Sequence, residues 1–235
     1  MGYLETLVLL GLLILIHEAG HLAAAKLVGI PVSAFSVGLG PRLWSRRWGQ
    51  TEYSLRAFPL GGFVVPAVAS ESEFRAIELK RRLAFFLGGP LANLAVAVPL
   101  FGILNGLRGG LSFYDVVVAP FGQVIAACWE PLSSLPRVFA EPASLLGVVG
   151  LVMEGGQLAA AGMMLELAVS LSLSLAVLNM LPIPVLDGGQ ILMSCLEEAF
   201  PRLIRLRAAA TLLGVLVLAG LVIYTNVQDT VRYWG

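Results

Sequence analysis

An apolar run from Tyr3 to about Val28 carries the chain's only two histidines, His17 and His21, with Glu18 directly after the first. At 1.5 Å per residue the run is long enough to cross a hydrocarbon core as a helix, and four residues make just over one turn. Both imidazoles therefore leave one face of that helix. Two imidazoles so spaced can share one zinc ion, and the neighbouring glutamate can act as general base on zinc-activated water. Charged and metal-binding groups are costly inside an apolar span, so their presence there points to chemistry. The competing explanations are a pair of structural histidines, or a metal-binding helix in the core of a soluble protein.

Composition decides between these settings. Of 235 residues, 58% are hydrophobic and 13% charged, with a mean hydropathy of +0.88. A soluble domain is about half apolar and about a quarter charged. The zero net charge says nothing about partners, and no basic stripe with interleaved aromatics supports nucleic-acid binding. Cys128 and Cys195 match no metal-ligand spacing and read as small buried hydrophobes. The first run lacks a basic n-region and an A-x-A-like cleavage site, so it is kept as part of the mature protein.

Eight of the fifteen basic residues fall between Val32 and Arg82: Arg42, Arg46, Arg47, Arg56, Arg75, Lys80, Arg81 and Arg82. The positive-inside rule makes this side cytoplasmic and places the amino terminus outside. Within it, Ala34–Pro41 and Thr51–Phe58 read as short strands, the second broken by Pro59 and Gly61-Gly62. An apolar hairpin of this kind can dip into the membrane where protein or a water cavity surrounds it. A second span covers about 83–104 and opens on Gly88-Gly89-Pro90-Leu91-Ala92-Asn93, where small residues let backbones approach closely. Asn93 is either a packing amide or part of a site.

The 105–163 segment has two basic residues against four acids, which fits the outer side. Pro120, Pro131, Pro136 and Pro142 argue against one long helix through its first part. Ser144–Val152 is apolar but short, and reads as a surface or re-entrant stretch. A third span, about 164–186, runs inward and ends in Asn179-Met180-Leu181-Pro182-Ile183-Pro184-Val185-Leu186-Asp187-Gly188-Gly189, whose prolines must loosen the helix. Glu197, Glu198, Arg202, Arg205 and Arg207 read as a solvated polar interruption on the cytoplasmic side, before a fourth span over about 208–224. The expected fold is an all-α polytopic membrane protein, one domain over 1–235. It has about four transmembrane helices, and a re-entrant β region (about 32–66) between the first two. Both termini lie outside.

This topology has a geometric consequence. The first span carries His17 and His21 in its inner half, and the third delivers Asp187 at its inner end, so all three reach similar depth. Two histidines and a carboxylate suit a catalytic zinc that keeps a coordination position open. The alternative for Asp187 is an N-cap for the segment after it.

In these motifs the sequence resembles the site-2 protease family of intramembrane zinc metalloproteases, and looks most like its bacterial regulator-of-sigma-E branch. The resemblance rests on His17-Glu18-Ala19-Gly20-His21, Ser36–Pro41, Thr51-Glu52-Tyr53, Pro59–Val64, Gly89–Asn93 and the Asn179–Gly189 run. It implies one zinc ion held by His17, His21 and Asp187, with Glu18 catalytic and Asn179 holding substrate backbone. It also implies that the strands around Gly38, Gly40, Gly61, Gly62 and Phe63 form a re-entrant hairpin and an edge strand. Such an edge can take up an unwound substrate by β-addition. Asn93 joins this set of candidate substrate contacts. The expected substrates are single-span membrane proteins or signal-peptide remnants, cut at the cytoplasmic side of the inner membrane by a multi-pass enzyme embedded in the lipid bilayer. The departure is in 105–163, which is too short for the PDZ domain such relatives usually carry. A catalytically silent scaffold and a metal-ion transporter are the competing functions. The intact Glu18 argues against the first, and the lack of a path of further ligands against the second.

Overall fold

The computed structural model describes residues 2–133 and 146–235. Helix α1 is Gly2–Leu27, and a β-hairpin of β1 (Val32–Trp48) and β2 (Thr51–Pro66) follows. Then come α2 (Glu71–Ala76), α3 (Leu79–Leu107), α4 (Tyr114–Ser133), α5 (Val148–Ala160), α6 (Met164–Asn179), α7 (Asp187–Ala199) and α8 (Arg207–Trp234). Among the described residues four helices are long and apolar enough to cross a membrane: Gly2–Leu27, Leu79–Leu107, Tyr114–Ser133 and Pro201–Trp234.

That set differs from the expected one at its third member. Helix α6 has 16 residues, about 24 Å at the helical rise, against a hydrocarbon core of about 30 Å. Its residues Leu167, Leu171, Ser172, Leu173 and Ala176 are buried. The additional long helix is α4, where the prolines argued against one. It opens on a π-helical turn, Tyr114–Val118, with Pro120 at the start of the regular helix. The wider turn absorbs the amide that Pro120 lacks. Gly102 makes room for it, since a Cβ there would lie 2.4 Å from the Val116 carbonyl oxygen. The α4 helix packs antiparallel on α3, with the Asn105 amide donating to the Asp115 carbonyl at 2.7 Å and Val124 buried against Ala97. Ser144, like Pro136 and Pro142, lies outside the described residues, and the helix after it runs from Val148 to Ala160.

The hairpin is also longer than expected, because β2 continues through Pro59 to Pro66. Register explains this: Leu39 stands opposite Phe58 and Val37 opposite Gly62, so residues 59–61 fall between paired positions and no ladder amide is demanded of Pro59. The first part of β1 is flanked twice, by Gly62–Pro66 on one side (Val37↔Gly62 to Val32↔Pro66) and by Glu52–Leu55 on the other (Ala34↔Glu52 to Val37↔Leu55). Gly38 and Gly40, at φ +87° and +83°, make the bend that allows it.

Helix α1 crosses α3 at a contact of backbone on backbone. A Cβ on Gly20 would lie 2.2 Å from the Gly88 carbonyl oxygen, and one on Gly88 would lie 2.5 Å from that of Gly20. Lipid supplies no hydrophobic drive between helices, so close approach of small residues is how such pairs associate. Below the crossing, Ala25, Ile30, Val32, Phe85 and Phe86 form a buried cluster that ties α1, β1 and α3 together. Arg81 closes the C-terminal end of α1 by donating to the Val28 and Gly29 carbonyls, each at 2.6 Å. On the far side of α3, Ser172 of α6 donates to the Asn93 carbonyl at 2.8 Å. The C-terminal half of α1 is thereby held between α3, α6 and β2.

Candidate metal centre

His17 and His21 leave α1 toward α3 and the start of α7. The imidazole nitrogens stop 3.2 Å apart (Nε2 to Nε2). Asp187 closes the triangle, with Oδ2 3.1 Å from His17 Nε2 and Oδ1 3.4 Å from His21 Nε2. All three side chains are buried or nearly so. Among the described residues they are the one His/Cys/Asp/Glu cluster whose ligand atoms fit around a single ion.

The donor set fits a metal on two independent grounds. Ligands at about 2.0–2.1 Å from a tetrahedral ion stand about 3.3 Å from one another, close to the 3.2 Å between the imidazole nitrogens and to the 3.1 and 3.4 Å from each of them to its nearer Asp187 oxygen. The second ground is the tautomer. His21 Nδ1 lies 2.8 Å from the Phe85 carbonyl oxygen, which can only accept, so Nδ1 carries the proton. In the neutral ring Nε2 is then a lone pair, turned toward His17 Nε2 and the Asp187 carboxylate. A backbone carbonyl that fixes the tautomer is the usual outer partner of a metal-ligating histidine.

Space for an ion comes from Gly89. A Cβ at that position would sit 2.4 Å from His21 Nε2 and 2.6 Å from His17 Nε2. Asp187 is brought in by the end of α6, which stops at Asn179 ahead of Pro182 and Pro184. Helix α7 then restarts with Leu186 as its N-cap and Asp187 as its first residue, so the carboxylate is turned to the histidines and does not cap. Gly188 and Gly189 are needed for this restart, because a Cβ on either would meet the Met180 or Ile183 carbonyl at 2.1 Å or less.

Two cavities flank the centre. One, of about 330 Å³, is lined by His17, Glu18, His21, Phe63, Asn179, Asp187 and Gln190. The other, of about 340 Å³, is lined by Leu10, Ile14, His17, Glu18, Gly61, Gly62, Val148 and Asn179. Glu18 and Asn179 thus face both. Strand β2 presses on Glu18, since a Cβ on Gly62 would lie 2.6 Å from Glu18 Cγ. The Asn179 amide donates to Leu175 O of its own helix at 2.9 Å. Gly38 and Gly40 line neither cavity and pack instead against Arg56 and Phe58. Asn93 lines neither as well; it is fully buried one turn beyond Gly89, and neither side-chain heteroatom has a partner.

The sequence reading missed Gln190, Glu197 and Arg207. Glu197 and Arg207 are buried and paired at 2.8 Å, and Glu198 accepts from the buried Arg82 at 3.0 Å, whereas Arg202 and Arg205 are exposed. The polar interruption is therefore partly internal.

A buried two-histidine, one-carboxylate centre among apolar helices, with a glutamate next to the first histidine, has the make-up of a metallopeptidase site. The chain belongs to peptidase family M50, whose profile matches residues 5–223. It is 41% identical over 112 residues to a provisionally named zinc metalloprotease of Clostridium acetobutylicum, covering 45% of this chain and 32% of that protein. A provisionally named zinc metalloprotease of Nostoc sp. is 53% identical over 64 residues, 27% of this chain and 18% of the relative. With one from Clostridium perfringens the identity is 25% over 320 aligned positions, covering 93% of this chain and 95% of the relative. Those 320 positions exceed the 235 residues of this chain by 85, so at least that many residues of the relative have no counterpart here. The segments matched in the first two relatives span about a third or less of those proteins.

Proposed function

We propose that the chain is an intramembrane zinc metalloendopeptidase that cleaves transmembrane segments of single-span membrane proteins or signal-peptide remnants. The observation that carries this reading is the meeting of His17, His21 and Asp187 at one point, with Glu18 on the wall of both adjoining cavities. His17, His21 and Asp187 hold the ion. When bound, zinc polarises a peptide carbonyl and makes a nearby water more acidic. Glu18 takes the proton of that water as it adds to the carbonyl carbon, and returns it to the amine that leaves as the C–N bond breaks. Asn179 stands across the cavity from β2 and contacts the substrate backbone.

Gly61, Gly62 and Phe63 lie in the stretch of β2 beside Glu18, and Gly62–Pro66 pairs with β1 alone among the described strands. The open edge suits an extended segment, not a helix whose amides are already bonded. The clustering of basic residues between 32 and 82 supports a multi-pass arrangement in the inner membrane. Both termini then lie outside and the centre toward the cytoplasm. Cleavage of a tagged transmembrane substrate by the purified protein tests the reading, with and without a zinc chelator and beside Glu18→Gln. The expected result is loss of cleavage in Glu18→Gln with zinc retained. Equal cleavage by the variant would refute the assigned mechanism.

A further inference from the structure

One turn into α7 from Asp187, Gln190 lines the metal cavity together with His17, Glu18, His21 and Asp187. It also lines an adjoining groove of about 430 Å³ formed by Val64, Val65, Phe74, Phe85 and Phe86. Gln190 therefore stands where the two spaces meet, beside the open edge of β2.

Its amide is not free to turn. Arg207 Nη2 donates to Gln190 Oε1 at 2.6 Å, and an arginine has no acceptor, so the oxygen of the amide must face it. Arg207 is itself fixed, since Nη1 donates to Glu197 Oε2 at 2.8 Å and both side chains are buried. The amide nitrogen then faces the other way, and one of its hydrogens goes to the Pro184 carbonyl of the loop that delivers Asp187. A primary amide has two N–H groups. The second is left at the cavity wall, with its orientation dictated by Arg207, 17 residues further along the chain, and the buried ion pair that Arg207 forms. A charged pair buried at this cost needs a reason, and holding one amide in one sense at the cavity is such a reason.

We propose that Gln190 contacts the substrate, donating its second N–H to a backbone carbonyl of the segment that passes from the metal cavity into the inner groove. Arg207, braced by Glu197, is the positioning residue that sets the sense of that amide. This rests on the proteolytic reading above and adds a contact to it. Gln190 exchanges no proton. The carbonyl it holds belongs to a flanking peptide, so the bond has the same strength before and during hydrolysis and governs binding, not turnover.

The test uses the full chain in detergent or proteoliposomes with a tagged transmembrane substrate. Gln190→Ala should raise KM roughly tenfold, the worth of one hydrogen bond to a neutral group, with kcat within about threefold and zinc content unchanged. Arg207→Lys, which keeps the charge and loses the fork, should raise KM in the same direction. Combined with Gln190→Ala it should add nothing. A readout independent of turnover is fluorescence anisotropy of a labelled substrate peptide on Glu18→Gln protein. There Gln190→Ala should weaken binding by about the same tenfold. Peptide binding within twofold of the Glu18→Gln parent overturns the proposal, as does loss of zinc, or a fall in kcat with KM unchanged. Undiminished cleavage by Glu18→Gln alone would instead strike the proteolytic reading and leave the anisotropy result to decide the Gln190 contact.

Discussion

Gly89→Ala puts a single methyl group where the ion is proposed to bind. The added Cβ would stand 2.4 Å from His21 Nε2, 2.6 Å from His17 Nε2 and 2.7 Å from His17 Cε1. Non-bonded heavy atoms settle at about 3.5 Å, so both donor nitrogens must recede by roughly 1 Å. Ligand distances in metal sites hold to about ±0.2 Å, so neither histidine can retreat that far and remain a ligand. Removing an outer-shell partner of a ligand costs about 10–100-fold in metal affinity; displacing two ligands should cost at least about 100-fold, or about 2.8 kcal/mol. The fold should survive, because the clashing atoms are ends of rotatable imidazoles. Alanine also gains up to about 1 kcal/mol over glycine inside a helix, less whatever the following Pro90 takes back. Zinc content after purification, competitive zinc titration and a melting curve read these effects separately. Gly220→Ala, with nothing within 4 Å of its Cβ, is the matched control. A Gly89→Ala protein that holds one zinc per chain with the parent's affinity would refute the placement of the ion between these nitrogens.

The opposite wall makes a complementary prediction. Gly62→Ala should leave zinc binding intact while lowering kcat at least tenfold, because its Cβ meets Glu18 Cγ at 2.6 Å and the Ser36 carbonyl at 2.8 Å. Zinc lost in parallel with activity would contradict the separation of base from ligands. At the N-terminal end of α5, Asp229 Oδ2 accepts from the Gly147 and Gly150 amides, each at 2.7 Å, and is fully buried. Asp229→Ala should cost about 2–4 kcal/mol by stranding both donors. The loss should appear as faster amide exchange and proteolysis confined to α5; a uniform loss across all helices would argue against a local clamp.

The candidate ligand cluster was legible because histidine and aspartate in an apolar chain have few other uses. The N-cap alternative for Asp187 was equally legible and fails, since the cap position falls one residue earlier, at Leu186. Helix α4 was hidden by its prolines, as a π turn that accommodates Pro120 leaves no mark in composition. Strand β2 was cut short for a related reason: whether a proline breaks a strand depends on the register of its partner, which a sequence does not display. The Arg207–Glu197–Gln190 chain had no local signal at all. Charges between two apolar runs are usually solvated, and only the turn of the chain over residues 201–206 brings Arg207 back onto Glu197 and Gln190 and turns two of them inward.

Much of the centre is shaped by side chains that are missing. Gly20 and Gly88 bring α1 and α3 into backbone contact, Gly89 leaves the space between the histidine nitrogens, and Gly62 lets β2 lie against Glu18. In lipid, helices associate through such close approach because burial of apolar surface gains nothing there. The same economy leaves backbone exposed to the cavity on the β2 side, where Gly61 and Gly62 contribute no side chain that could exclude an incoming strand. A wall of backbone recognises backbone. On the proposed function, selectivity by side chain then arises away from the centre, in the groove of Val64, Phe74, Phe85 and Phe86. On that same proposed function, what the centre itself requires of a substrate is an extended segment with unpaired amides. For a membrane-spanning helix, that makes local unwinding the condition for entry.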